Sequence, residues 1–226
     1  MTDPIKLLRV PLRAAGLELI AGTTVQKYND AVPPGYELPD LGRPNTLAVV
    51  IGNTAALWPK LGEIWDDPAY QPDPVDRYTS RVIQEAVSQV PLRSDIRFSY
   101  EAEPRRVAIQ QLAHLTGLAW LSPSHLSIHR EFGPWIAWRA AVVFDCDGPA
   151  TYPPDPPCDC ALGCLPAFQK ALESGVPQSK ADLGDRWMDW VAFRDACPIG
   201  RAHRYSDTQI RYHYTHDPSA RPPEPV

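Results

Sequence analysis

Apolar positions in this chain fall into short runs separated by punctuating prolines and glycines. Thr46-Leu47-Ala48-Val49-Val50-Ile51 is a β-branched apolar run closed by Gly52-Asn53, which predicts a buried strand. Thr54 is placed to cap a short helix running through Leu61. Asp73 followed by Pro74 is an N-cap with proline at the first helical position. The helix it opens carries an apolar stripe of Val75, Tyr78, Val82, Ala86 and Val90, and Pro91 ends it. Ile96, Phe98 and Tyr100 alternate as a half-buried strand, and residues Val107 to Leu118 repeat at helical spacing up to Gly117. Trp135 to Phe144 predicts a further strand, and Leu165 to Leu172 and Trp187 to Asp195 predict the last helices. Near the N-terminus, Ile5, Leu7, Leu8, Val10, Leu12 and Leu17 recur at loose helical spacing, with Pro11 expected to interrupt or kink the helix. Strands separated by helices without regular βαβ spacing predict an α+β layered sheet.

A length of 226 residues bounds this to one domain with a single substantial core. Its 26 prolines cluster in 33–34, 66–74, 152–157 and 217–225, marking surface connections and a frayed C-terminal tail. The expected organisation is a main α+β part over 1–145, a Pro/Cys-rich insertion over 146–186, and a C-terminal segment over 187–226 that completes the site. A net charge of −5 carries no basic footprint, so nucleic acid is not the expected partner. The first residues lack a secretory pattern, no run of 18 apolar residues exists, and a cytoplasmic location without membrane contact is expected. Five cysteines in that setting read as thiols or ligands rather than as a disulfide framework.

One residue breaks the strand pattern. Arg139 lies inside the apolar run 135–144 and cannot shed its charge, so burial costs several kcal/mol unless an anion or a dense hydrogen-bond network meets it. A structural ion pair or a ligand site satisfies that requirement, and an arginine on a solvated face avoids it.

Further segments stand in order around it: Tyr28-Asn29-Asp30-x-x-Pro33-Pro34, Asp73-Pro74-Val75-Asp76, Ile128-His129-x-x-Phe132-Gly133-x-Trp135-x-Ala137-x-Arg139, Trp187-x-Asp189-Trp190-x-x-x-Arg194-Asp195-Ala196, and Arg204-Tyr205-Ser206. Taken together they resemble the cobalamin-processing chaperones of the cblC type, the MMACHC family, over about residues 25 to 221, with a poor match between 146 and 186. The resemblance implies a flavin-nitroreductase-like α+β fold. It implies a protein that binds cobalamin and removes its upper axial ligand, by thiol-dependent dealkylation or by reductive decyanation with electrons from a reduced flavin. It places Arg139, Arg194 and Arg221 in the set that positions glutathione or another thiol, and guanidinium forks suit the two carboxylates of glutathione. It puts His114, Ser124, Ile128, Trp135 and Trp138 at or beside the cobalamin pocket. Trp135 and Trp138 are expected on opposite faces of one strand, so that one meets the ligand and the other packs the core. A downstream cobalamin-dependent enzyme is a further implied partner.

The cysteines depart from that family. Cys158, Cys160 and Cys164 with the distant Cys197-Pro198 supply four candidate ligands for an iron–sulfur cluster or zinc, and the layout resembles the cluster-bearing region of epoxyqueuosine reductase. The spacing C-x-C-x₃-C differs from the ordinary cluster run, and free or redox-active thiols, a degenerate cluster region, are the further reading. Cys146, between Asp145 and Asp147, is read as structural. Two readings accompany removal of the upper ligand: a metal-centred redox protein acting with bound cobalamin, and a cobalamin carrier or sensor without chemistry.

Overall fold

The computed structural model describes residues 3–159, 163–175 and 184–224. Its frame is a four-stranded antiparallel sheet in the order β1-β2-β6-β3, formed by β1 (Leu19–Thr24), β2 (Thr46–Asn53), β3 (Ser94–Phe98) and β6 (Ala137–Asp147). Every residue of β2 is buried, because helices cover both faces of the sheet. Leu47, Val49 and Ile51 with Ala140, Val142 and Phe144 face α1 (Pro4–Ala14) and α4 (Pro74–Ser88). Ala48, Val50, Ala141 and Val143 face α2 (Val25–Asn29) and α5 (Ile109–Leu115). A two-stranded ribbon, β4 (Trp120–Leu121) and β5 (Ser127–Ile128), leads into β6.

Helix α3 (Leu57–Lys60) follows β2, and Thr54 Oγ1 accepts from the Ala56 N–H at its approach, 3.2 Å. α6 (Cys164–Glu173) and α7 (Trp187–Asp195) pack on each other beside Ile128. α8 (Asp207–Thr215) packs against Trp58 and Trp65 through Tyr212.

Asp73 caps α4 as the sequence predicts, its carboxylate accepting from the Asp76 N–H at 3.1 Å. The buried stripe is rotated from the one expected: Val75, Thr79, Ile83, Ala86 and Val87 are buried, whereas Tyr78 and Val82 sit at its margin. Thr79 is tolerated inside because its hydroxyl donates back to the Val75 carbonyl, 2.9 Å. α1 runs unbroken past Pro11, which lies on its exposed side. Strand β3 stops at Phe98, and Tyr100 is an exposed residue of the turn beyond it, stacked on Phe98. β6 begins at Ala137, so Trp135 and Trp138 do not share a regular strand. β1, α2 and α8 carried no expectation in the sequence.

Candidate functional site

Arg139 is placed by a break in β-sheet register. Ile51 pairs with Ala140, but the next residue, Gly52, pairs with Trp138, so Arg139 is the extra residue of a bulge. Gly52 makes the bulge possible, since a Cβ there would meet the Trp138 ring at 2.5 Å. Trp138 consequently turns into the α5-side core, where its indole N–H donates to the Ser127 hydroxyl at 3.0 Å. Arg139 is re-aimed toward the α4 side. Its Nε–H donates to Asn53 Oδ1 at 2.8 Å, and Nη1 pairs with Asp76 at 3.4 Å, with 11% of the side chain exposed. Part of the charge is thus met by the structural ion pair that the sequence left open.

The rest of Arg139 lines a cavity of about 260 Å³ with Trp135, Ile136, Ala137, Arg194, Tyr205, Ile210, His213 and Tyr214. Arg194 arrives from the last turn of α7, donates through Nη1 to the Pro134 carbonyl at 2.7 Å, and lies 6.0 Å from the Trp135 ring centre. Two arginines 55 positions apart in sequence therefore line one cavity, and Arg194 has no carboxylate partner within salt-bridge distance among the described residues. The approach is held by backbone contact: Gly133 and Gly200, both at positive φ, bring 132–133 against 199–200 so closely that a Cβ on either would collide with the facing backbone.

The remaining expected residues scatter. Arg221 pairs with Asp66 at a separate cavity lined by Trp65, Tyr212 and His216. Ile128 borders a third cavity with Trp120 and His129. His114 accepts the Leu121 N–H on Nδ1 at 3.3 Å, and burial holds its pKa below the usual histidine value. Ser124 is buried with its hydroxyl 2.9 Å from that of Ser122. Of the five residues expected near cobalamin, Trp135 alone lines the arginine cavity.

Cys164 opens α6 and Cys197 follows α7, both buried, and the fold brings them into thiol contact with Cys158 alongside. Burial pushes Cys197 up to about 12. Cys160 lies outside the described residues, and among the described residues no three His, Cys, Asp or Glu side chains are arranged to hold a metal ion. Cys146 is half-buried between Asp145 and Asp147, and burial foremost raises its pKa.

Tyr205, Ile210, His213 and Tyr214 were not anticipated as cavity residues. The available signal was Ser206-x-x-Gln209, a capping box, whose hydroxyl accepts the Gln209 N–H at 3.2 Å and starts α8 directly after Tyr205.

The sequence is 28% identical to human cyanocobalamin reductase / alkylcobalamin dealkylase, and 26% identical to the mouse protein of that name. Each comparison covers 83% of this chain and about 70% of the relative's length. This chain resembles the cobalamin reductase and dealkylase proteins. No family model matches it. In fold it is similar to a C. elegans B12-trafficking protein, CblC, at a TM-score of 0.68 and 19% identity, covering 93% of this chain and 90% of that one. It is also similar to epoxyqueuosine reductase, at a TM-score of 0.57 and 14% identity, covering 98% of this chain and 72% of that one. The α+β fold expected from the cblC resemblance is the fold observed. Among the described residues no helix is long and apolar enough to cross a membrane.

Proposed function

We propose that this protein takes cobalamin as substrate and removes its upper axial ligand by transfer to a thiol, with Arg139 and Arg194 receiving the carboxylates of that thiol. The observation that carries this reading is the shared cavity of two guanidiniums, supported by the sequence likeness to dealkylases over most of the chain. A volume of about 260 Å³ suits a small peptide-like thiol and is far too small for a corrin, so cobalamin lies outside the cavity with its upper face toward it. Trp135, buried at the cavity wall against Arg194 and Tyr205, supplies apolar lining.

The chemistry needs little from the protein beyond placement. A thiolate attacks the alkyl carbon on cobalt(III), the new carbon–sulfur bond forms as the carbon–cobalt bond breaks, and the bonding pair leaves with cobalt as cobalt(I). Arg139 and Arg194 fix the thiol in line, and their charge favours its deprotonated form. The relatives are named for reductive removal of cyanide as well; the arginine cavity bears on the thiol reaction.

The test is a visible-spectrum titration with methylcobalamin followed by glutathione. Wild-type protein is expected to shift methylcobalamin to its base-off spectrum and to form cobalt(I) on adding the thiol. Arg194→Gln should retain the first change and show a KM for glutathione raised tenfold or more. No spectral shift with wild type, or equal loss of both steps in the variant, overturns the proposal.

A further inference from the structure

The Tyr205 hydroxyl is out of place as a purely structural group. Its residue is 5% exposed, and the oxygen is buried without a hydrogen-bond partner among the described residues. An orphan of that kind costs about 1–3 kcal/mol relative to an apolar group of the same shape. Phenylalanine would keep the ring contacts to Trp135, 5.6 Å between centroids, and to His213, 5.8 Å, without that cost. Something other than packing therefore accounts for the oxygen.

Its surroundings say what. Tyr205 lines the same cavity as Arg139 and Arg194, and both guanidinium charges act on the hydroxyl. The Glu18 charge also acts on it, and that carboxylate engages Thr54 through one oxygen while the other is buried without a hydrogen-bond partner among the described residues. Burial keeps the phenol protonated, pushing its pKa up to about 12, so it is a neutral donor at every physiological pH. A neutral donor sharing one cavity with two cationic donors suits an anionic acceptor with several lone pairs.

We infer that Tyr205 is a third ligand-binding donor of the cavity, giving its O–H to the same carboxylate that the arginines receive, and that it selects carboxylate-bearing thiols over neutral ones. This rests on the reading of the cavity as a thiol site. The cost of the orphan hydroxyl in the empty protein is offset when the carboxylate arrives.

Tyr205→Phe separates this from a structural role. The variant is expected to match or exceed wild type in thermal stability when ligand-free. It should raise KM about 10- to 100-fold for glutathione and for N-acetylcysteine, and leave KM for N-acetylcysteamine, the same thiol without its carboxylate, unchanged. The base-off shift of methylcobalamin should persist. Equal effects on both acetylated thiols, or no effect on either, would overturn the assignment. If wild type binds no cobalamin the function proposed above fails, but calorimetric titration with glutathione alone still reads the hydroxyl: a Kd ratio near one between variant and wild type sinks the inference, and a ratio of ten or more sustains it.

Discussion

Replacing Arg139 by leucine removes a buried charge together with the partner of a fully buried amide. Asn53 has no exposure, and its Oδ1 takes its hydrogen bond from Arg139 Nε at 2.8 Å, while its Nδ2 donates to the Thr54 carbonyl at 2.8 Å. Leucine leaves Oδ1 unsatisfied in the bulge. Loss of a hydrogen bond from a charged donor is worth about 1.5–3 kcal/mol. The Asp76 contact adds at most about 1 kcal/mol, since that carboxylate is one-third exposed at 34% and the separation is 3.4 Å. The expected cost is about 2–4 kcal/mol, a large share of the stability of an ordinary domain. Urea denaturation followed by tryptophan fluorescence measures it. Adding Asn53→Leu closes a double-mutant cycle, and a coupling of at least about 1 kcal/mol is expected if the Arg139–Asn53 bond is the principal term. Arg139→Lys keeps the charge but loses the Nε–H at its fixed place in the planar fork, and should fall between leucine and wild type in stability. A leucine variant within about 0.5 kcal/mol of wild type, or a coupling near zero, would refute the account of the bulge as a site that demands a guanidinium.

Acid should loosen the approach to the cavity. His129 Nδ1 accepts the N–H groups of Glu131 and Phe132 at 3.1 and 3.2 Å, and burial lowers the pKa of His129 and of His114. The unfolded chain then binds more protons from about pH 6.5 downward to the depressed values, so the stabilisation is complete above about pH 6.5 and is lost as pH falls below it. Melting at pH 7.5 and 5.5 should show a smaller drop for His129→Asn, which keeps the acceptor without titrating, and parallel drops would dismiss His129 as the cause. Thiol labelling should follow burial: at pH 8 iodoacetamide is expected to modify half-buried Cys158 at least about tenfold faster than Cys164 or Cys197. Peptide mass spectrometry reads the order, and Cys197 labelling at the rate of Cys158 would contradict the packed thiol contact.

The sequence by itself determined the elements whose causes are local. Asp73-Pro74 starts α4 because a carboxylate at the N-cap and a ring with fixed φ need only neighbours a few residues away. The run 46–51 is a buried strand, as its β-branched apolar residues closed by Gly52-Asn53 favour. Arg139 announced itself as a charge in an apolar run, a conflict visible without coordinates. The rotation of the α4 stripe, the bulge at Arg139 and the departure of Trp135 from the strand were decided by tertiary packing. Gly52 accepts the Trp138 ring only because the two strands are neighbours in the sheet. The meeting of Arg139, Arg194 and Tyr205 depends on how α7 and α8 fold back over the end of β6, and that of Cys164 with Cys197 on the packing of α6 against α7. Arg221, matched by position to the same set, is held at a different cavity by Asp66, because an exposed arginine in a proline-rich tail takes the nearest carboxylate the packing offers. Patterns along the chain carry information about neighbours in sequence, whereas a site assembled from residues 53, 139, 194 and 205 is a property of the packed molecule.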